Sequence, residues 1–175
     1  KDFNLTTKNL IKVNLDEVNS FKNEIDNKKL NIGIAWSGTF YGPKQPYRSI
    51  PLDKFKDIIS SEFNFYCLQK EIWQSDQKTF DALNIKNKGD LKFKQLGAFI
   101  QNLDLIITSD TSILHLAASL GKETWAVISV DPDWRWGKFH EFYKYKNIKI
   151  YRQNKFNDWK DTMEIIKKDF SKKIN

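Results

Sequence analysis

Short apolar runs alternate with amphipathic segments along this sequence. A continuous apolar run is typical of a strand buried on both faces, whereas apolar residues three or four positions apart indicate a helix with one buried side. The apolar runs predict strands over residues 31–36, 64–68, 104–108, 124–130 and 148–151. The helical spacing predicts helices over residues 15–28, 77–83, 92–102, 111–120, from residue 51 onward and at the end of the chain. Residues 1–14 suit an edge strand or a tail.

The apolar positions within these helices predict which side chains are buried. The last helix has the clearest pattern, because Trp159, Met163, Ile166 and Phe170 share one face. Gly121 is expected to end the helix over residues 111–120 in the left-handed conformation. The other inward positions are Leu52, Phe55 and Ile59 after Pro51, and Phe93, Leu96 and Phe99 or Ile100 in the helix over residues 92–102.

Buried strands that alternate with helices predict an α/β fold. We expect a Rossmann-like three-layer sandwich with a mostly parallel sheet between two helical layers. Residues 1–29 are expected to form an N-terminal extension and linking helix, and residues 30–175 the Rossmann-like domain. Ligands of such sheets bind beyond the C-terminal ends of the strands, so the candidate loops follow Trp36, Leu68, Thr108 and Val130.

Composition and charge exclude several classes of protein. The 175 residues are 40% hydrophobic and include 13 Phe and 6 Trp, which is too apolar for a disordered chain. The single cysteine, Cys67, excludes a disulfide framework. No apolar run approaches the roughly 20 residues that span a bilayer, and no signal peptide opens the chain, so we expect a cytoplasmic protein. Because the sequence begins at Lys1, we expect a piece of a longer protein.

The basic residues are concentrated near the C-terminus. The chain has a formal net charge of +7. Residues 138–175 contain 11 basic and 5 acidic residues, so most of the surplus lies there. This surplus is either a solvated basic face or a surface for nucleic acid or another acidic partner. We favour the solvated face and expect no nucleic-acid partner and no membrane span.

The segment from Thr108 to His115 is the sharpest candidate site. A strand ends there and a helix follows at once, with Ser109 or Asp110 expected to cap it. The remaining amides and the helix dipole would attract an anion, and Thr111 and Ser112 add hydroxyl groups. His115 could donate to a phosphate or sugar oxygen. The alternative is ordinary capping, with His115 packed in the interior.

Two other strand ends carry weaker candidates for anion binding. Ser37, Gly38 and Thr39 form a small, hydroxyl-bearing loop in which the backbone could approach a ligand. Arg48 could contact phosphate with two N–H groups, although a surface ion pair explains it equally well. At the second strand end, the candidates are Gln69 and Lys70. The chain contains neither the glycine fingerprint of dinucleotide-binding folds nor a P-loop.

A metal site is not expected. Asp131 and Asp133 form a D-x-D pattern, which holds a divalent ion in one class of sugar transferases. No other acidic residue obviously converges on them, so we expect them to serve the loop itself. Two His and one Cys make no metal-ligand motif.

Taken in order, these loops resemble a known family. The residues concerned are 31–38, 48–52, 65–70, 102–111, 115–118, 132–136 and 151–153. They resemble the C-terminal half of bacterial tetratricopeptide-repeat proteins with a glycosyltransferase-like domain, which is similar to heptosyltransferases and, more distantly, to O-GlcNAc transferases. The resemblance covers roughly residues 30 to 168.

This resemblance implies a specific function. It implies a GT-B fold, in which two Rossmann-like halves face a cleft and the C-terminal half binds the nucleotide sugar without a metal. Asp110, Thr111 and His115 match a pattern that contacts the donor's diphosphate and sugar, although Ser112 replaces the usual glycine. Arg48 matches a basic phosphate contact, and Ser37, Gly38 and Thr39 match a loop that touches phosphate.

The expected function is therefore donor binding in a metal-independent glycosyltransferase. The nucleotide sugar is a co-substrate, and no cofactor is expected. Because the acceptor half and the repeat domain are not in this sequence, we expect little or no transfer activity from it alone. The main alternative is a non-catalytic nucleotide- or protein-binding module of a repeat-containing protein. A sugar-nucleotide epimerase would share the fold.

Overall fold

The computed structural model describes residues 10–39, 45–137 and 145–174. Six parallel strands form one sheet in the order β3-β2-β1-β4-β5-β6. The strands are β1 Asn31–Ala35, β2 Asn64–Cys67, β3 Ile85–Asn87, β4 Leu105–Ser109, β5 Thr124–Ile128 and β6 Ile148–Arg152. The α-helices are α1 Leu15–Ser20, α2 Gln45–Arg48, α3 Gln74–Ala82, α4 Phe93–Ile100, α5 Ser112–Ser119 and α6 Lys160–Ile174.

Different segments cover the two faces of the sheet. On one face, strand residues such as Ile34 and Val127 pack with α6 and with a 3₁₀ turn over Leu52–Phe55. On the other face, residues such as Ile106 pack against α4 and α5. This alternation follows from the pleat, which points successive side chains to opposite sides. The α/β three-layer sandwich with a parallel sheet is therefore confirmed.

The strongest sequence patterns are confirmed in detail. All five residues of β1, β4 and β5 are buried, as continuous apolar runs predict. Trp159, Met163, Ile166 and Phe170 are all buried under α6. Gly121 has a φ of 78° after α5, which is the left-handed conformation expected there.

Two predicted helices are shorter than the sequence suggested. Instead of a helix over residues 15–28, α1 ends at Ser20 and a 3₁₀ turn covers Lys22–Glu24. Ile25 then takes an extended backbone and is buried against the α4 layer. After Pro51 there is only the 3₁₀ turn, in which Leu52 and Phe55 are both buried. Side chains three residues apart eclipse in such a turn, so a single turn suffices to bury both.

Several other segments differ from the simplest expectation from the sequence. Phe93 is 57% exposed instead of buried, and as the first residue of α4 it lines an open cleft. The edge strand β3 was missed, since only its first residue, Ile85, is buried and the segment is too short to show alternation. Residues 10–14 form no strand, and residues 1–9 lie outside the described residues. The short helix α2, which includes Arg48, was also not predicted, and residues 40–44 before it are not described.

The N-terminal segment packs on the α4 layer. The Phe21 ring meets the Phe99 ring edge-on at 5.5 Å, and the Asn102 side chain donates to the Val18 carbonyl at 3.0 Å. The boundary at residue 29 stays a prediction. No helix in residues 10–39, 45–137 or 145–174 has the length and apolar character needed to cross a membrane.

The core under α6 gives a first testable prediction. Phe170 is 3% exposed, and its ring lies 5.3 Å from that of Phe63. Phe170→Ala should lower the free energy of unfolding by about 3–5 kcal/mol, because it removes buried contacts and leaves a cavity. Ile165→Ala is the matched control, since Ile165 is 50% exposed on the same helix, and it should change stability by less than about 0.5 kcal/mol. Urea unfolding followed by circular dichroism measures both, and equal losses would contradict the packing described here.

Candidate functional site

The strand order reverses beside β1. From β1 the chain moves outward to β2 and β3, then returns to add β4, β5 and β6 on the other side of β1. The loops after β1 and β4 therefore leave the sheet in opposite directions and open a crevice at its C-terminal edge. Open parallel sheets bind their ligands at this position.

A cleft of about 430 Å³ lies at this reversal. Among the residues proposed from the sequence, those that line it are Ser37, Gly38, Thr39, Gln69, Lys70, Thr111 and Ser112. The remaining lining residues are Leu68, Glu71, Gly89, Asp90, Leu91, Lys92, Phe93, Leu96 and Ile113. The structure thus brings together the ends of β1 and β2, the segment after β3, and the starts of α4 and α5.

The start of α5 borders the cleft with its amides free of any side-chain cap. Thr111 is the N-cap residue, and its side chain makes no capping hydrogen bond. The expectation that Ser109 or Asp110 caps the helix is wrong. Ser109 is the last residue of β4, and its hydroxyl donates to the Ala35 carbonyl at 3.5 Å. The first amides of a helix have no partner within the helix, so Ser112 and Ile113 present N–H groups at the cleft.

The Thr111 hydroxyl is engaged within the protein. Thr108 Oγ1 donates to the Ser109 carbonyl at 2.9 Å and lies 3.2 Å from Thr111 Oγ1. Each hydroxyl has one proton, so both bonds form only when Thr111 donates to Thr108. Thr111 therefore presents lone pairs to the cleft, and the donors at this end are the helix amides and Ser112.

The loop after β1 is held by side chains from the neighbouring segments. Gln69 Oε1 accepts from the amides of Trp36 at 2.8 Å and Ser37 at 3.0 Å. Gln69 Nε2 donates to Ser37 Oγ at 2.8 Å, and the indole of Trp73 donates to the Gly38 carbonyl at 3.1 Å. These bonds fix the wall of the cleft before any ligand arrives.

A second group of buried hydrogen bonds, centred on Asp76, holds the start of the same loop. Trp36 is fully buried, and its indole N–H donates to Asp76 Oδ2 at 2.9 Å. Asp76 Oδ1 accepts from the Leu52 amide at 3.2 Å. Both oxygens of this buried carboxylate therefore have partners, and β1, α3 and the 3₁₀ turn are tied together.

Other residues that line the cleft differ in character from those proposed from the sequence. Leu91, Phe93 and Leu96 supply apolar surface, and Glu71 and Asp90 supply carboxylates. No sequence pattern predicted these five lining residues. The one signal in the sequence was the Gly-Asp pair at positions 89 and 90. Such a pair is typical of a turn, and a turn here marks the C-terminal end of strand β3.

His115 and Asp110 lie beside the cleft and do not line it. The His115 ring stacks on Trp136 with a centroid distance of 5.8 Å. His115 Nε2 lies 3.9 Å from Asp110 Oδ1, and Asp110 is only 6% exposed. His115 Nδ1 lies 3.5 Å from the hydroxyl of Tyr145. The imidazole therefore packs among protein groups, at the first turns of the helix that borders the cleft.

Arg48 is another sequence candidate that lies outside the cleft lining. It ends α2 and does not line the cleft. Its neighbour Tyr47 packs on Phe156, with ring centroids 4.9 Å apart, so α2 approaches the loop after β6. The half-buried Arg48 side chain has an Nε that lacks a hydrogen-bond partner among the described residues.

Neither Asp133 nor Cys67 is available as a reactive group. Asp133 Oδ1 accepts from the Arg135 amide and pairs with its guanidinium, each at 3.1 Å. Within the described ranges, no three His, Cys, Asp or Glu side chains are grouped as metal ligands. Burial raises the pKa of Cys67 to about 12, so this thiol stays protonated near neutral pH and is a poor nucleophile.

With this geometry in place, comparison with known proteins gives a family. The model for glycosyltransferase family 9 (heptosyltransferase) matches residues 67–157, which is slightly more than half of the chain. The chain belongs to glycosyltransferase family 9. The matched region includes the β2 end, α5 and the loops after β5 and β6. Comparison with curated protein sequences gives no significant match.

Solved glycosyltransferase structures share the fold of this family 9 chain. E. coli ADP-heptose lipopolysaccharide heptosyltransferase II has a TM-score of 0.66 and 14% identity, over 94% of this chain and 54% of that one. A family 9 glycosyltransferase from Veillonella parvula has a TM-score of 0.61 and 14% identity, over 82% and 42%. E. coli heptosyltransferase WaaC with ADP-2-deoxy-2-fluoro heptose has a TM-score of 0.59 and 12% identity, over 89% and 47%.

These matches also define what part of a glycosyltransferase is present. The chain spans about half the length of the structures that it matches. Its single Rossmann-like unit corresponds to one half of a GT-B fold. The tetratricopeptide-repeat part of the sequence resemblance stays a prediction.

The cleft wall gives a second testable prediction. A Cβ added to Gly89 would lie 2.0 Å from the Gln69 carbonyl oxygen, which belongs to the backbone and cannot rotate away. Gly89→Ala should therefore destabilise the protein by about 1–3 kcal/mol through overpacking. Gly97→Ala is the control, because its nearest new contact is a side-chain methyl of Val13 at 3.3 Å, and it should destabilise less. Urea unfolding of both variants compares them, and an equal or smaller loss for Gly89→Ala would contradict this contact.

Proposed function

We propose that this chain is the nucleotide-sugar-binding half of a metal-independent family 9 glycosyltransferase, with the donor's diphosphate at the start of α5. The observation that carries the proposal is the uncapped N-terminus of α5, facing a cleft at the strand-order reversal. Helix N-termini attract anions through their free amides and their dipole.

The cleft lining at the start of α5 suits a diphosphate. The Ser112 and Ile113 amides and the Ser112 hydroxyl can donate to phosphate oxygens, and the Lys70 ammonium adds a positive charge. When a glycosidic bond to a nucleoside diphosphate breaks, negative charge develops on the leaving phosphate. Donors already held in place stabilise that charge in the transition state, so a divalent cation is not needed for this step.

The carboxylates and apolar side chains that line the cleft suit a nucleoside. Glu71 and Asp90 can accept hydrogen bonds from ribose hydroxyls, which is a role that carboxylates have at the same place in dinucleotide-binding folds. The apolar surface of Leu91 and Phe93 can cover a base. The volume of about 430 Å³ lies within the range of about 300–1,000 Å³ usual for small-molecule sites.

The similar structures support a nucleotide-sugar ligand. One is an ADP-heptose heptosyltransferase, and another contains ADP-2-deoxy-2-fluoro heptose. At 12–14% identity, these proteins do not determine the base or the sugar for this chain. We therefore propose a nucleoside diphosphate sugar as the ligand class and leave the base to experiment.

The proposal assigns the other requirements of transfer to a second half of the protein. In a GT-B enzyme the acceptor lies across a cleft between two Rossmann-like halves. We propose that such a half, together with any repeat domain, belongs to the full-length protein, and we expect little or no transfer by this chain alone. The domain boundary at residue 29 and a cytoplasmic location are part of the same proposal.

A non-catalytic binding module is the second candidate. It is favoured by the positions of Asp110, His115 and Arg48, which do not line the cleft. The nucleic-acid alternative has less support, because lysines of the basic stretch are paired with acids. Lys149 lies 2.8 Å from Asp169, and Lys173 lies 2.6 Å from Glu123.

A charge substitution at Ser112 tests the proposed anion site. Ser112→Asp places a carboxylate in the first turn of α5, where it favours the helix dipole but repels a diphosphate. We expect affinity for ADP, UDP or GDP to fall at least about tenfold, with no loss of folding stability. Ser112→Asn is the neutral control of the same size as aspartate, and because its amide can still donate, it should bind at least about tenfold more tightly than Ser112→Asp.

Calorimetric titration measures these affinities, with the corresponding ADP-, UDP- and GDP-sugars included. Unfolding in urea, recorded for the same samples, separates a loss of binding from a loss of folding. The proposal fails if the unsubstituted chain binds none of these nucleotides, or if Ser112→Asp binds them as well as Ser112→Asn does.

A further inference from the structure

The orientation of the Gln69 side-chain amide follows from its partners. Gln69 is 5% exposed, and one end of its amide faces the backbone N–H groups of Trp36 at 2.8 Å and Ser37 at 3.0 Å. A backbone N–H can only donate, so the atom facing both must be the carbonyl oxygen Oε1. If the amide were flipped, its NH₂ group would face these two N–H groups, and no hydrogen bond could form.

The other end of the amide then determines how Ser37 is used. Gln69 Nε2 lies 2.8 Å from Ser37 Oγ and 2.7 Å from the Glu71 carbonyl oxygen. An amide nitrogen only donates, so its two protons go to these two oxygens. Ser37 Oγ is therefore an acceptor in this bond and keeps its own proton.

That proton has no acceptor within the described part of the chain. Ser37 is 2% exposed and lines the cleft, beside the start of α5. Its hydroxyl is thus a donor available to a ligand atom that accepts. Thr111, which also lines the cleft, differs because its proton goes to Thr108.

We propose that Gln69 is a positioning residue that does not itself contact the ligand. It holds the Ser37 hydroxyl as a dedicated donor to an oxygen of the bound diphosphate, and this inference rests on the proposed function. From the sequence alone, Gln69 is a candidate for direct contact with the ligand. Its hydrogen bonds assign it a different role, because both ends of its amide are occupied by protein atoms.

The first arm of the test removes the donor. Ser37→Ala deletes the hydroxyl and leaves both backbone amides on Gln69 Oε1. Titration uses ADP, UDP, GDP and inorganic pyrophosphate, with adenosine, uridine and guanosine as probes that lack phosphate. We expect about 10- to 100-fold weaker binding of the diphosphates and pyrophosphate, which is the usual effect of losing a hydrogen bond to a charged group. Binding of the nucleosides should not change.

The second arm tests the action of Gln69 through Ser37. In Gln69→Glu, one carboxylate oxygen still accepts from the two backbone amides. The other now accepts as well, and so it draws the Ser37 proton away from the cleft. We expect weaker diphosphate binding in the unsubstituted background, and a change of less than about threefold when Ser37 is already Ala. Gln77→Glu is the surface control, since the Gln77 side chain is exposed and its bond is with Asp81 on the same helix.

The outcomes separate this inference from the proposed function. If none of the three nucleoside diphosphates binds the unsubstituted chain, the proposed function fails and this inference fails with it. If they bind but Ser37→Ala leaves their affinity unchanged, only this inference is overturned. Equal losses from Gln69→Glu in both backgrounds also overturn it, because they indicate an effect of charge or folding. If Gln69→Glu does not fold, Gln69→Met replaces it, and the Ser37→Ala effect should then shrink.

Discussion

The reversal of strand order at β1 is the constraint on which the site depends. Strands on either side of β1 are reached by connections that run in opposite directions, so the loops after β1 and β4 cannot close over each other. The gap is lined by backbone and small side chains, because Ser37, Gly38, Thr111 and Ser112 occupy these two loops. The position of the site therefore depends on the topology of the sheet more than on any single side chain.

The loops keep their shape because buried polar groups satisfy one another. Gln69 bridges the ends of β1 and β2, while Asp76 joins the Trp36 indole to the Leu52 amide. A buried donor or acceptor left without a partner costs about 1–3 kcal/mol, so these side chains have little freedom to move. Loops that are held rigidly in this way keep hydrogen-bond donors in place before a ligand binds. Less conformational entropy is then lost on binding.

The sequence was informative where burial is continuous and uninformative where it is not. β1, β4, β5 and α6 were predicted because long stretches of apolar residues must be covered on one or both faces. β3 was missed because Ile85 is its only buried residue, and α1 was overextended because Ile25 reaches the core from an extended backbone. The loop residues Ser37 to Thr39 and the start of α5 were found because parallel strands end at one edge. Arg48 does not line the cleft, because α2 packs toward Phe156 through Tyr47 in a way that no local pattern encodes, and its contact with phosphate stays a prediction.

A sequence gives residue types, but the direction of each hydrogen bond depends on all partners together. Ser37 and Thr111 are both hydroxyl residues at the cleft, and nothing in their local sequence separates them. Their neighbours do: Gln69 must donate to Ser37, whereas Thr108 receives the proton of Thr111. One hydroxyl is therefore left as a donor and the other as an acceptor. The Ser37 hydroxyl and the amides of α5 are therefore the donors on which the proposed diphosphate site depends.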